Sequence, residues 1–324
     1  MLKSLKLITP IAVVATLAAI EPVKSVQAEE LRLTYARPNA VYWDIDVAIE
    51  KGFFKAEGFE TKSIRLQSSV GSTQALIAGT THLAATNPEP VIASFERGAK
   101  DNAIFLAPVT GLAWSFVGAK GVNSFADLKG KKIGVSALKG GESSLIEVLA
   151  AKHGLKRSDF SYIRVGITPL KFKALKSGAI GAAVLFQPTG LLAISTGMTN
   201  LANFSELTAY PYPIYAVNKS WAMKNNHGAR LARAIIKAQK FINNPANKAE
   251  AKAILAKYTK KSPAIVEGTY QLFLHQAKTF NNDGHVDKAG IERLVKQMVK
   301  GKILKTMPSG GVDKYILPLS KVGL

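Results

Sequence analysis

The sequence predicts an α/β protein built as two successive strand–helix blocks followed by a helical tail. Three observations carry that expectation. Short apolar runs of strand character alternate with stretches of helical periodicity from Leu31 onward. The alternation restarts near Gly121, after the strand pattern over residues 114–119. Beyond residues 215–217 strands cease, and four helical stretches close the chain.

Leu31-Arg-Leu-Thr-Tyr-Ala36 alternates as a strand does. Pro38 and Asn39 make a turn, and Asn39 is suited to cap a helix from Ala40. Val41, Ile45, Ala48, Ile49 and Phe53 recur at helical spacing, and Gly58 ends the segment. A strand is expected over 59–66, a helix over 71–78, a strand over 82–85, a helix over 90–97 and strands over 103–107 and 114–119. The second block reads as a helical turn over 125–130, strands over 132–136, 162–165 and 179–185, and helices over 142–153, 169–176 and 188–196. Tyr210-Pro-Tyr-Pro213 closes it. A strand over 215–217 re-enters the first block, and helices over 228–242, 246–258, 264–280 and 288–299 pack upon it.

The first 28 residues form a leader. Lys3 and Lys6 precede the apolar run over 7–20, and Val26-Gln27-Ala28 places small residues at −3 and −1 of a cleavage site before Glu29. The run is shorter than the roughly 20 apolar residues a transmembrane helix needs. Cleavage after Ala28 leaves 296 of the 324 residues, enough for two domains. The expected compartment is the periplasm. The chain has no cysteine, which excludes disulfides, thiolate metal sites, cysteine nucleophiles and a lipid-bearing cysteine. Its formal charge is +21, and loss of three lysines and Glu21 with the leader lowers it to +19. Such a field attracts anions. The lysines are dispersed, however, and aromatic residues do not interleave with them as in a single-strand binding platform, so nucleic acid is not an expected partner.

Several segments resemble the periplasmic solute-binding proteins of ABC importers, in the nitrate, sulfonate, taurine and thiamine-pyrimidine-precursor-like group. These are Ala48-Ile-Glu-Lys-Gly-Phe-Phe-Lys-Ala-Glu-Gly58, Ser124-Phe-Ala-Asp-Leu-Lys-Gly-Lys-Lys-Ile-Gly-Val135 and Asp283-Gly-His-Val-Asp287, with Val299-Lys-Gly-Lys-Ile303 and Val312-Asp-Lys-Tyr315 near the end. The resemblance implies a type II periplasmic-binding-protein fold, with two α/β lobes, two crossing strands and a ligand cleft between them. Lobe one is expected over 29–119 and again over 213–324, and lobe two over 120–212. The implied partners are a small-molecule solute and an inner-membrane ABC permease, and the protein is expected to be a monomer.

Loops at the carboxyl ends of strands would line that cleft. The candidate ligand-binding residues are Asn39, Tyr42 and Trp43; Ser68 and Ser69; Asn87 and Glu89; Thr110 and Trp114; Lys139, Gly140, Gly141, Glu142 and Ser143; and Gly166, Phe186 and Gln187. The loop before residue 71 meets a helix N-terminus, which suits an anion. Several have plainer roles open to them. Ser72 and Ser143 suit helix caps; Trp43 and Trp114 suit core packing; Asp44 and Glu89 suit the helix dipole. Glu89 opposes an anionic ligand and would bind an amine, whereas the basic surface favours an organic anion such as a sulfonate or aromatic acid.

No Walker A loop, dinucleotide fingerprint or Gly-x-Ser-x-Gly elbow occurs, and the five histidines lack metal-ligand spacing. No catalytic constellation, metal site or cofactor is therefore expected. Two other readings stand beside the receptor: a pyrimidine-precursor-type enzyme of the same fold, which in that family relies on a cysteine-rich iron motif absent here, and an exported polyanion binder.

Overall fold

The computed structural model describes residues 28–324 apart from 36, 37, 67, 139, 140 and 207–210. The leader before Ala28, and Lys139 and Gly140, lie outside the described residues. Strand β1 (Glu29–Thr34) buries Leu31 and Leu33 completely. Asn39 Oδ1 then accepts the Val41 N–H at 3.1 Å and caps a 3₁₀ turn, Ala40–Tyr42, that leads into α1 (Trp43–Glu50). Gly52, at φ +68°, allows the bend into α2 (Phe53–Ala56). β2 (Phe59–Ile64), α3 (Ser69–Ile77), β3 (Leu83–Thr86), α4 (Pro88–Glu96) and β4 (Asn102–Leu106) continue the alternation. Ser68, not Ser72, caps α3, accepting the Gly71 N–H at 3.0 Å, because the helix starts two residues earlier than its apolar pattern does.

The second sheet takes β5 (Trp114–Gly118), β6 (Lys132–Val135), β7 (Ser161–Arg164), β8 (Ala182–Phe186) and β9 (Thr199–Asn203), with α5 (Gly141–Lys152), α6 (Thr168–Lys176) and α7 (Thr189–Ser195) between them. β10 (Ile214–Asn218) returns to the first sheet, and α8 (Lys219–Met223), α9 (His227–Asn243), α10 (Lys248–Thr259), α11 (Pro263–Gln271) and α12 (Lys288–Lys300) complete the chain. No strand was expected where β9 lies. It carries two asparagines, which are depleted in strands, and runs along the edge of its sheet.

The two sheets share one plan. Their orders are β2-β1-β3-β10-β4 and β7-β6-β8-β5-β9, and in each the fourth strand runs antiparallel to both neighbours. That strand comes from outside its block. β5 precedes the rest of the second sheet, and β10 follows all of it. The chain thus crosses between Leu106 and Trp114, before the 119/120 boundary expected from the pattern, and returns between Asn203 and Ile214.

The first crossing is braced by the tail. Thr110 N–H donates to Thr279 O at 2.9 Å, and Asn281 Nδ2 donates to Ala107 O at 2.9 Å. Gly111 passes so close to this brace that a Cβ there would stand 1.7 Å from Ala277 O. Inside lobe one, α1 and α9 enclose Asp44, wholly buried, whose carboxylate accepts Tyr215 O–H at 2.6 Å and Gln239 Nε2 at 2.9 Å. Burial pushes the Asp44 pKa up to about 6 against those hydrogen bonds, which lower it.

Two outcomes follow. Gly111→Val forces the crossing off its brace and destabilises by about 2–3 kcal/mol, read as a lower urea midpoint. The native state holds the Asp44 proton more tightly than the unfolded chain does. This contribution is therefore present below pH 3.8 and is lost as pH rises through about 6. Asp44→Asn removes that component, so the stability difference between Asp44→Asn and the wild type changes in favour of the variant from pH 4 to pH 7.5 in urea titrations.

Candidate functional site: the cleft between the two sheets

The sheets meet along the loops that follow their strands. Ala40 N–H, in lobe one, donates to Gln187 O, in lobe two, at 2.8 Å. Nearby the Tyr42 and Tyr212 hydroxyls pair at 3.3 Å, Tyr42 from the first turn of lobe one and Tyr212 from the returning segment. Lobe two adds rings behind this contact. Trp114 packs on Phe186 at 4.7 Å, on Tyr212 at 5.0 Å and on Phe204 at 5.7 Å between centroids. Phe186 in turn lies 5.5 Å from Tyr212. Rings from β5, the end of β8 and the second crossing thus form one wall, and Tyr42 faces it from the other lobe.

Burial governs the ionisation of these groups. Desolvation pushes the Tyr42 hydroxyl up to about 12. Tyr212 is held well above the usual tyrosine range, first by burial, then by the neighbouring Tyr42 hydroxyl and the charges on Glu142 and Glu89. Both hydroxyls therefore stay protonated and uncharged at neutral pH, one donating to the other. Glu89, in the first turn of α4, is buried within reach of that field, as its position at a helix N-terminus favours.

The remaining candidates divide by position. Asn39 caps the turn that carries Tyr42, while Ser69 Oγ donates to Asn87 Oδ1 and so ties the α3 start to the α4 start. Ser68 is an exposed cap. Gly141, Glu142 and Ser143 open α5; Ser143 O accepts Tyr162 O–H at 2.9 Å, and Gly166 O accepts Ser136 Oγ at 3.2 Å. Three candidates serve the scaffold. Trp43 is wholly buried among Tyr270, Phe273 and Phe280 and donates to Ala251 O at 3.0 Å, so its ring is core to lobe one. Thr110 is exposed and bonds to residues 278 and 279 in the crossing brace. The Gln187 side chain donates to Ser115 Oγ at 3.0 Å and accepts Leu191 N–H at 2.9 Å, fixing β5 to α7; only its carbonyl faces the other lobe.

Three residues around the site are not among the sequence candidates. Tyr212 lies in the Tyr210-Pro-Tyr-Pro213 segment that closes the second block. Tyr162, in the strand pattern over 162–165, donates to Ser143 O at the start of α5. Lys171 looked like one more surface lysine, yet it is wholly buried and ion-paired to Glu142. Its signal was helical phase, since Lys171 shares a face with Thr168 and Leu175, both buried. Among the described residues no group of three or more acidic or histidine side chains is placed to hold a metal.

Two α/β sheets that exchange their fourth strands across a loop-lined cleft define a periplasmic-binding-protein fold. The chain belongs to the NMT1/THI5-like family, whose sequence profile matches residues 39–248. It is 27% identical over 243 residues to the "putative binding protein YtlA" of Bacillus subtilis, covering 72% of each chain. In structure it is similar to the ligand-binding component of an ABC-type import system from Staphylococcus aureus (TM-score 0.75, 15% identity, 91% of this chain and 98% of that one). It is also similar to the periplasmic aliphatic sulphonate binding protein SsuA of Escherichia coli (TM-score 0.69, 19% identity, 89% and 97%).

Gln187→Ala removes one buried and one partly buried hydrogen bond, so it is expected to lower the stability of lobe two by about 2 kcal/mol. Urea unfolding checks this. An unchanged midpoint would mean that the β5–α7 tie is redundant.

Proposed function

We infer that the protein is an exported solute receptor that encloses one small organic molecule between its lobes, leaves it chemically unchanged and presents it to an inner-membrane ABC permease. One observation carries this reading: Tyr42 of lobe one meets the Trp114–Phe186–Tyr212 wall across the junction of two sheets joined by two crossings. Such a junction opens by hinge motion at two crossings and closes on whatever fills it. A flat ring suits the wall, because offset and edge contacts with three aromatic side chains bury both faces of a planar guest. The family membership and the binding-protein names of relatives support the same reading. Glu89, Asn87, Ser69 and the α5 start would supply the polar contacts.

An organic anion of the sulfonate or aromatic-acid type heads the candidates. The mature charge of +19 and the likeness to a sulphonate binding protein support that choice. Release into the periplasm by cleavage after Ala28, action as a monomer and absence of turnover belong to the same proposal. So does independence from nucleic acid and cofactors.

Isothermal calorimetry against nitrate, alkane- and arylsulfonates, aromatic carboxylates and pyrimidines tests it. At least one solute is expected to bind, and Trp114→Leu to weaken that binding about tenfold or more by removing the central ring of the wall. Folded protein that gives no heat and no thermal shift with any member of the panel would overturn the receptor reading.

A further inference from the structure

The wall of lobe two holds a buried charge pair behind one of its rings. Lys171 is wholly buried in the first turn of α6, and its Nζ donates to Glu142 Oε1. The Glu142 side chain is 12% exposed, and its other oxygen accepts the Ser136 N–H at 3.0 Å. The same ammonium lies 5.5 Å from the centroid of Phe186, the ring that packs, tilted, on Trp114. A cation and an anion thus stand directly behind the rings that would receive a guest. Each alone would project a field into a site poor in water, where charges act far more strongly than in bulk solvent. Together they cancel. Two apolar side chains of similar volume would fill this place at equal or better stability.

We propose that the Glu142–Lys171 pair is a specificity determinant of the cleft: it cancels the charge of the lobe-two wall, so that this wall grips ring faces without regard to the charge of the guest. This rests on the receptor reading above. Removing one member leaves the other unbalanced and turns the wall charge-selective.

The test uses three one-ring probes, benzoate, benzylammonium and benzyl alcohol, titrated into the full mature chain by calorimetry. Glu142→Gln keeps an acceptor for the Ser136 N–H and leaves the lysine cation unopposed. The benzoate-to-benzylammonium affinity ratio is expected to rise about tenfold over wild type, a decade for each 1.4 kcal/mol. Lys171→Met keeps the volume and leaves the carboxylate, and the ratio is expected to fall about tenfold. The double variant, Glu142→Gln with Lys171→Met, is neutral again and brings the ratio back toward the wild-type value. A loss of packing alone would weaken all three probes together and leave the ratio in place. Should Lys171→Met fail to fold, Glu142→Gln and the double variant still decide. A wild-type chain that binds a probe, with a ratio unmoved in Glu142→Gln, overturns this inference and leaves the receptor standing. A chain that binds none of the three in any variant overturns the ring-face reading and this inference with it.

Discussion

The exchange of one strand in each direction is the constraint on which the molecule depends. β10 fills the fourth place in the sheet that opens the chain, and β5 fills the same place in the other. Each is paired on both sides, so neither lobe completes its sheet from its own block. The chain must therefore cross twice. A single linker would leave the lobes free to swing in many directions, while two crossings restrict them to opening and closing. Hinges of that kind concentrate the φ/ψ change in a few residues at element ends. The first crossing is further tied to the helical tail through Thr110, Asn281 and the Gly111 contact with Ala277. Motion at this crossing must therefore carry the tail along with lobe one.

The same exchange builds the site. β5 brings Trp114 to the mouth of lobe two, β8 ends there on Phe186, and the second crossing lays Tyr212 against both. Lobe one answers with Tyr42, held by a turn that Asn39 caps and that bonds to Gln187 across the gap. The site is thus a consequence of connectivity, with ring chemistry delivered to one place by four segments separated in sequence. Buried tyrosine hydroxyls that resist ionisation suit such a place, because they offer hydrogen bonds without adding charge.

The alternation of elements was legible because hydrophobic period is a local property. Strand and helix phases, the Asn39 cap and the restart near Gly121 could each be read from a few neighbouring residues. β9 was hidden because its asparagines speak against a strand, and only pairing with β5 makes it one. Sheet membership was equally hidden. Residues 114–118 read as the last strand of the first lobe, and only long-range pairing assigns them to the second sheet. At the site, residue type told less than company did. Trp43 and Trp114 looked alike in sequence; one lies among the tail helices and the other at the lobe junction. Gln187 looked like a ligand contact and is a bracket between β5 and α7. Lys171 was the reverse case, a residue whose helical phase declared it buried and whose charge drew attention away.

Closure itself is finely balanced on this account. Among the described residues, the direct hydrogen bonds across the cleft include the Ala40–Gln187 backbone contact and the tyrosine hydroxyl pair. Each net hydrogen bond contributes about 1 kcal/mol, so the pair together supplies only a few times thermal energy. Opposing it are the ordering of the hinge and the desolvation of Glu89 and of the tyrosine hydroxyls. A ring that buries roughly 100 Å² of apolar surface adds about 2.5 kcal/mol at about 25 cal/mol per Å². That is comparable to these two hydrogen bonds together. The guest is thus large enough in energy to decide between open and closed, and small enough that closure is reversible. A clamp with stronger contacts of its own would shut empty and signal nothing. On the proposed receptor reading, hydrogen bonds this modest across the cleft would let the closed shape report that a solute is present.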